Sequence, residues 1–213
     1  MRTLLAAAAL ALGATAAQAQ AVPDGANDSV AGHFQVRLRG VAVLPDASAT
    51  IKIGGVDIGG KTNVSDSFIP EIDGTYFFTD HIGAELIAGT TQHSVHNSVA
   101  GNVGSVWLLP PTLTVQYHFD PTSTAWRPYV GAGINYTFFY SPRSPLSDIH
   151  YSDNVGWALQ AGFDVPIKDG PYFANVDVKK IFLDTHVKAL GGVVQANAWL
   201  DPWLIGAGIG VRF

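Results

Sequence analysis

Two histidines in the middle of the chain, His93 and His96, have a spacing that suggests chemistry. A His-x-x-His pair can supply two ligands to a zinc ion, but a protein zinc site needs three or four, and no third ligand lies in register. A lipase or acyltransferase needs a serine paired with a histidine, and the Gly-x-Ser-x-Gly pattern that presents such a serine is absent. The sequence therefore predicts no catalysis, no metal site and no cofactor.

Charged side chains alternate with apolar ones along several segments. Arg37 and Arg39, for example, are interleaved with Val36 and Leu38. Because successive side chains of a β-strand point to opposite faces, this spacing predicts strands with one charged face and one apolar face. The charged residues assigned to that polar face are Arg37, Arg39, Glu71, Asp73, Glu85, Asp164, Asp177, Lys179 and Arg212.

The last segment, residues 200–213, shows which environment these strands require. Trp203, Phe213 and the alternate residues between them form an unbroken apolar row, whereas the other parity holds Arg212 and three glycines that leave room on that face. A tilted strand of ten residues climbs roughly 25 Å, the height of the apolar band of an outer-membrane barrel. A strand of a soluble sandwich would also alternate, and that alternative stays open for a single strand.

The rest of the chain repeats the pattern at regular intervals. We predict strands at 33–44, 68–78, 82–91, 106–119, 127–140, 155–167, 172–183 and 200–213. Lys180 interrupts the alternation and indicates a bulge or the end of the lipid-facing part. The connections alternate between long and short, with both chain ends on the short side, as periplasmic turns and extracellular loops require. The fold class predicted is all-β, an eight-stranded antiparallel transmembrane β-barrel with both termini periplasmic.

The N-terminal residues predict export to the outer membrane of a Gram-negative bacterium. Residues 1–19 carry a basic start, an apolar stretch and an Ala-Gln-Ala cleavage site, so they resemble a signal peptide. Residues 20–32 are interpreted as a periplasmic leader, and 33–213 as the barrel. Without Arg2 the chain has 11 basic and 17 acidic residues, a formal charge of −6, which argues against nucleic acid as a partner.

Aromatic residues at strand ends predict contact with outer-membrane lipid. In two strands, aromatics of one parity stand ten residues apart, as in the girdles at the two membrane interfaces. A terminal phenylalanine is also typical of barrels inserted by the outer-membrane assembly machinery, so Phe213 is predicted to be an assembly signal. The girdle residues assigned are Phe68, Phe78, Trp107, Phe119, Trp203 and Phe213.

The charged face of so small a barrel has little room. An eight-stranded barrel is just wide enough for side chains to fill, so the charged residues are expected to pair across the lumen, Arg212 with a carboxylate near the periplasmic end. A wide aqueous channel is therefore not expected. Pro110 and Pro111 lack the N–H that a ladder needs, so they predict a lateral opening in the fourth strand. The alternative is that this strand begins after them.

Three segments resemble the OmpW family of outer-membrane proteins. They are 109–113 (LPPTL), 127–137 (RPYVGAGINYT), and 200–203 (LDPW) together with the terminal Arg212-Phe213. The resemblance spans essentially the whole mature chain, and the alkane-uptake protein AlkL looks like a relative. It implies an eight-stranded barrel whose extracellular half is an apolar funnel for small hydrophobic molecules.

The predicted function is passive uptake of small hydrophobic molecules, with lateral exit into the bilayer as one route. The alternatives are a structural or adhesive barrel without transport and an outer-membrane lipid-modifying enzyme. Apolar residues in the long connections favour an apolar cavity over a polar adhesive surface. They are Ile51, Ile53, Val56, Ile58, Val187, Leu190, Val193 and Val194.

Overall fold

The computed structural model describes residues 29–59, 61–98, 101–144, 150–167 and 170–213. The predicted signal peptide and most of the predicted leader lie outside them. Within the described part the only helical turn is Leu190–Gly192, and no helix is long and apolar enough to cross a membrane. The strands are β1 Phe34–Leu44, β2 Ser48–Ile53, β3 Val56–Asp57, β4 Thr62–Val64, β5 Ser67–Phe77, β6 Ile82–Gly89, β7 Thr91–Asn97, β8 Gly101–Leu109, β9 Thr112–His118, β10 Arg127–Arg143, β11 His150–Tyr151, β12 Asn154–Pro166, β13 Tyr172–Phe182, β14 Asp184–Ala189, β15 Val194–Trp199 and β16 Trp203–Arg212.

Eight of these strands pair into a closed antiparallel barrel. The ring runs β1-β5-β6-β9-β10-β12-β13-β16 and returns to β1. The first and last strands close it, with Gln35 opposite Arg212 and Leu44 opposite Trp203. The predicted eight-stranded barrel is therefore confirmed. We call the end with the short connections and Phe213 the turn end, and the opposite end the extension end.

The two faces of the barrel strands have opposite polarity. Along β9, Thr112, Thr114, Gln116 and His118 are buried, and the residues between them are exposed. In β1, Arg37 is 0% exposed whereas its neighbour Leu38 is 56% exposed. A soluble sandwich would bury the leucine and expose the arginine, so the sandwich alternative is wrong, and the apolar outer surface fits a lipid environment.

Lys180 lies in an unbroken ladder, so the suggested bulge is wrong. It pairs with Trp203 as the last residue of the β13–β16 register, and β13 continues beside β12 beyond it. Its ammonium group lies 4.9 Å from the centre of the Trp203 ring. The next outward residue of β13, Phe182, is again apolar and exposed, so Lys180 is a single polar residue in the outward row.

The segments predicted as long loops are mostly strands. Residues 93–105 lie largely in β7 and β8, and residues 184–198 form the hairpin β14–β15. The prediction failed because outward-facing positions such as Lys52, Lys188 and Gln195 are polar and exposed there, which removes the apolar outer row while the ladder continues. Within the first of these connections, β2 and β3 form a hairpin with Gly54-Gly55 at its tip.

The extensions form two separate sheets. One has the order β11-β14-β15-β2-β3, and the other continues the barrel through β10-β8-β7-β4. Across one boundary, Phe139 stacks on Tyr151 with ring centres 5.6 Å apart, and its amide donates to Asp153 Oδ1 at 3.0 Å. Side chains rather than a backbone ladder therefore join the sheets there.

The N-terminal segment from Ser29 folds across the turn end. Val30 is buried, and the Gly32 amide donates to the Phe77 carbonyl at 2.8 Å. The Asp80 carboxylate accepts from Ser29 Oγ at 2.6 Å and from the Val30 amide at 2.7 Å. One carboxylate therefore fixes this segment beneath the barrel.

We expect Asp80→Asn to speed amide hydrogen exchange at Val30 and Ala31, after correction for intrinsic rates. The hydrogen bonds from Ser29 and Val30 lower the pKa of Asp80. The contact is thus present above the unfolded pKa of about 3.9 and is lost as pH falls through the lowered folded pKa. Asp46→Asn, an exposed control, should leave this exchange unchanged; equal exchange in both variants would contradict the assignment.

Candidate functional site

The turn half of the barrel interior is filled by a buried ion network. Arg37 is its centre: Nε lies 2.8 Å from Asp73 Oδ1, Nη2 lies 2.6 Å from Glu85 Oε1, and Nη1 lies 3.7 Å from Asp164 Oδ1. Its guanidinium also donates to Thr75 Oγ1 at 2.8 Å. The network therefore joins β1 to β5, β6 and β12 through side chains as well as through the ladder.

Arg39 and Lys179 extend the network toward the extension end. Arg39 Nη2 lies 2.7 Å from both Glu71 Oε1 and Asp73 Oδ2, and Nη1 lies 3.6 Å from Asp177 Oδ1. Lys179 Nζ lies 2.6 Å from Asp177 Oδ1 and 3.5 Å from Glu71 Oε1. The ion network thus comprises Arg37, Arg39, Glu71, Asp73, Glu85, Asp164, Asp177 and Lys179.

Arg212 lies apart from this network. Its Nη2 donates to Gln35 Oε1 at 2.8 Å and its Nη1 to the Pro121 carbonyl at 3.1 Å, while the guanidinium covers the Phe77 ring at 5.0 Å. The expected carboxylate partner of Arg212 is not found within ion-pair distance among the described residues. At the narrow turn end, an amide and a carbonyl are the acceptors that come within its reach.

Large side chains close the turn end below the ion network. Phe77, Phe173 and Tyr129 are at most 1% exposed, and Tyr129 Oη donates to Asp177 Oδ2 at 2.8 Å. Gly210 makes the close packing possible, because the Phe173 ring occupies the space where a Cβ would be. The room that the glycines of β16 leave is thus filled at this position by a neighbouring ring.

Above the ion network the inward-facing side chains become apolar and surround a cavity, the lower cavity, of about 700 Å³. Its walls include Val43, Ile69, Ile87, Ile181, Leu183 and Leu204. An upper cavity of about 670 Å³ lies between the two extension sheets. Val64, His93, Leu108 and Leu200 line both, so the cavities adjoin one another.

The floor of the lower cavity is polar. Glu71 and Lys179 of the ion network line it, together with Thr112, Asn135 and Thr137. Asn135 Nδ2 donates to Thr112 Oγ1 at 2.8 Å, and Thr137 Oγ1 donates to Asn135 Oδ1 at 2.6 Å. The cavity is therefore amphipathic, with aliphatic walls above a hydrogen-bonded floor.

Backbone pairing is interrupted beside Pro110 and Pro111. Ile87 pairs with Thr112, and the next pair toward the extension end is Thr91 with Leu108. Residues 88–90 therefore face residues 109–111 without ladder pairs, and we call this interruption the proline gap. The barrel strand β9 begins at Thr112, directly after the prolines, as the alternative expected, and β8 continues the wall before them.

The proline gap adjoins the lower cavity and is bridged on its other side. Gly89 and Pro110 both line the cavity. On the β10 side, the Tyr136 amide still donates to the Pro111 carbonyl at 3.0 Å. Across the gap, Thr90 Oγ1 donates to the Leu108 carbonyl at 3.1 Å and lies 2.5 Å from Tyr140 Oη. Side-chain hydrogen bonds thus replace the ladder at this one place between β6 and β9.

The residues predicted for the aromatic girdles lie on the outer surface. Phe68 is 76% exposed, and Phe78, Phe119, Trp203 and Phe213 are also exposed. Trp107 is half-buried because it stacks on Tyr140, with ring centres 6.3 Å apart. Phe213 also extends the ladder, since its amide donates to the Phe34 carbonyl at 2.7 Å.

The two histidines with metal-like spacing point to opposite faces of β7. His93 is buried, with Nδ1 2.7 Å from the Ser65 carbonyl and Nε2 3.1 Å from Thr91 Oγ1, whereas His96 is exposed. Among the described residues no group of three His, Cys, Asp or Glu side chains could hold a metal ion. His93 instead contributes to the walls of both cavities.

Sequence reasoning missed most of the cavity walls. Of the apolar residues noted in the long connections, Ile51 and Val187 line the upper cavity, whereas Ile53 and Val56 are exposed. The missed signal is a change in the type of inward-facing residue along a strand. In β1 it changes from charged Arg39 to apolar Val41, and in β13 from Lys179 to Ile181. That change marks the level where the ion network ends and the cavity begins.

The OmpW family model matches residues 30–213. The chain is 47% identical to "Uncharacterized outer-membrane protein y4mB" of Sinorhizobium fredii, over 98% of this chain and 94% of that protein. It is 36% identical to "Outer membrane protein W" of Escherichia coli K12, over 86% and 89%. It is 30% identical to "Dibenzothiophene metabolism operon protein DoxH" of Pseudomonas sp. strain C18, over 79% and 82%.

Solved structures show the same barrel. OprG of Pseudomonas aeruginosa superposes with a TM-score of 0.79 at 29% identity, covering 86% of this chain and 96% of that one. AlkL, solved in lipid bilayers, gives a TM-score of 0.67 at 21% identity, covering 91% and 96%, which is a likeness of fold.

Proposed function

The chain belongs to the OmpW family of outer-membrane β-barrel proteins, and we propose that it carries small apolar molecules passively across the outer-membrane surface. The observation that carries the proposal is an apolar cavity of about 700 Å³ that ends on a buried ion network. Its lining of mostly aliphatic side chains with a few polar groups is typical of a small-molecule site. The proposal involves no catalysis and no cofactor.

The orientation is part of the proposal. We place the turn end in the periplasm and the extension end outside the cell, because barrels of this class have short periplasmic turns and longer extracellular connections. The exposed polar side chains of the extension sheets, such as Lys52 and Gln195, then face water above the apolar band. Apolar molecules would reach the cavities from this side.

The proposed route leaves the barrel sideways. Straight passage would require a cargo to separate buried charges such as Arg39 and Glu71, and an unpaired buried charge is very unfavourable. The proline gap adjoins the lower cavity and lacks ladder pairs. A cargo that leaves there for the bilayer therefore breaks few backbone hydrogen bonds. Opening it breaks the side-chain hydrogen bonds of Thr90 rather than a run of backbone pairs.

The name of one relative supports an apolar cargo. DoxH is named for an operon of dibenzothiophene metabolism, and dibenzothiophene is an uncharged aromatic compound. The aliphatic cavity walls suit such a molecule, since burial of apolar surface favours binding. We therefore propose uncharged, largely hydrocarbon molecules as the general cargo class.

Reconstitution tests this function. Vesicles with lipopolysaccharide in the outer leaflet, with and without the protein, should be compared for uptake of naphthalene and of glucose. We expect faster uptake of naphthalene only. Uptake of neither solute would support the structural or adhesive alternative, and uptake of both would overturn the conclusion that the lumen is closed to polar solutes.

Phe213 provides a separate test of assembly. We expect Phe213→Ala to lower the membrane-inserted yield several-fold, whereas Phe213→Tyr keeps an aromatic ring and should assemble normally. Both variants retain the backbone hydrogen bonds to Phe34, so the comparison isolates the side chain. The measurement is heat-modifiable gel mobility of outer-membrane fractions; equal yields would refute a role for Phe213 in recognition by the assembly machinery.

A further inference from the structure

The lower cavity has a floor that a pure hydrocarbon cannot satisfy. Its walls are aliphatic, but Glu71, Lys179 and Thr137 line its base. Apolar groups placed against polar atoms give them no hydrogen bonds, which is unfavourable where water is displaced. The best occupant therefore has an apolar body and one polar end.

Glu71 indicates what that polar end should be. The residue is 3% exposed, and its Oε1 lies 2.7 Å from Arg39 Nη2 and 3.5 Å from Lys179 Nζ. Despite these short distances, Oε1 accepts no aligned hydrogen bond within the described part of the chain. A buried acceptor in this position favours a ligand that brings a donor.

The net charge of the ion network indicates which polar end groups of a bound molecule are disfavoured. Its cations are Arg37, Arg39 and Lys179, three against the five carboxylates of Glu71, Asp73, Glu85, Asp164 and Asp177. With all groups ionised, the formal excess is two negative charges. A carboxylate or phosphate end would lose its water and meet this excess in a medium of low dielectric constant.

We propose that the preferred cargo is an apolar molecule ending in a single uncharged hydroxyl, such as an alkanol or a phenol. The hydroxyl lies on the floor and donates to Glu71, and the hydrocarbon body extends upward past Ile87 and Leu183. This inference rests on the proposed function and names the substrate class within it. Molecules of the same length that end in a carboxylate are rejected.

The test compares radiolabelled octane, 1-octanol and octanoate at pH 8. Retention by nanodiscs that hold the mature protein is measured against empty nanodiscs, so partition into lipid is subtracted. We expect 1-octanol to bind about fivefold more tightly than octane, the effect of one net hydrogen bond, and octanoate to bind most weakly. Equal binding of the three would overturn the hydroxyl preference but leave passive uptake standing, whereas binding of none would overturn both.

Variants locate the effect on the floor. Glu71→Gln keeps an acceptor oxygen but removes a negative charge. We therefore expect 1-octanol to bind still, and the affinity for octanoate to rise several-fold. Thr137→Val removes a hydroxyl without removing a charge of the ion network. It should weaken binding of 1-octanol and leave binding of octane unchanged. Thr185→Val alters a hydroxyl of the upper cavity and serves as the matched control. Preferred binding of octanoate by the unmodified protein, or a loss of octanol preference in the control alone, would contradict the assignment.

Discussion

Replacing Pro110 and Pro111 together with valine should lower uptake of an apolar probe by about fivefold. Because the Pro111 carbonyl accepts from the Tyr136 amide on the β10 side, it is the backbone of residue 110 that faces residues 88–90, so valine there restores one N–H across the interrupted ladder. One added hydrogen bond contributes about 1 kcal/mol, which corresponds to about fivefold in the population of an opened gap. Flux through the gap should fall accordingly.

The measurement is naphthalene uptake by the lipopolysaccharide-containing vesicles, with retention of 1-octanol by nanodiscs as the internal check. Cavity binding should stay within about twofold, because the aliphatic walls are untouched. Pro45→Val is the matched control: Pro45 also lines the lower cavity, but next to it the Asp46 amide already donates to the Leu200 carbonyl at 3.1 Å. Unchanged uptake in the double variant would eliminate the lateral route.

Arg37→Met should produce the largest loss of stability. Arg37 is 0% exposed and contacts Asp73 and Glu85 at 2.8 and 2.6 Å, so its removal leaves buried carboxylates without their main partner. Breaking a buried ion pair by deleting one partner costs about 3–5 kcal/mol. We expect the folded, heat-modifiable form in lipid to unfold at markedly lower urea concentration.

Arg143→Met is the control, since Arg143 is exposed near the end of β10. Its urea midpoint should match that of the unmodified protein. A variant Arg37→Met with an unchanged midpoint would show that the ion network is not a main source of stability. Because the prediction concerns unfolding, it is independent of whether the protein transports anything.

The barrel itself could be predicted because outward and inward residues differ so strongly in β1, β9 and β16. Between the turn end and the ion network, the outward residues of these strands are apolar and the inward ones are polar or glycine. The predictions 33–44 and 200–213 end within three residues of β1 and β16, whereas the prediction 106–119 is divided at the prolines into β8 and β9. The extension strands could not be found by the same rule. Beyond the apolar band both parities carry polar residues, as at His93 and His96, so alternation of hydropathy disappears although backbone pairing continues.

The site was predictable only in part. Polar residues on the inner parity identified the ion network, since charged side chains in lipid-facing strands must turn inward. The lower cavity needs two further facts that a single sequence does not supply: the stagger between strands, and the level at which Arg39, Glu71 and Lys179 give way to aliphatic neighbours. The proline pair indicated an interruption of the ladder, but not that Thr90 and Tyr140 bridge it from outside.

The packed turn end has an electrical consequence. Phe77, Phe173 and Tyr129 fill the bore beneath the paired charges, so hydrated ions have no water column through which to move. A planar bilayer containing many copies should therefore show a conductance far below that of open diffusion pores. Many copies of this protein could therefore be inserted without raising the ion permeability of the outer membrane.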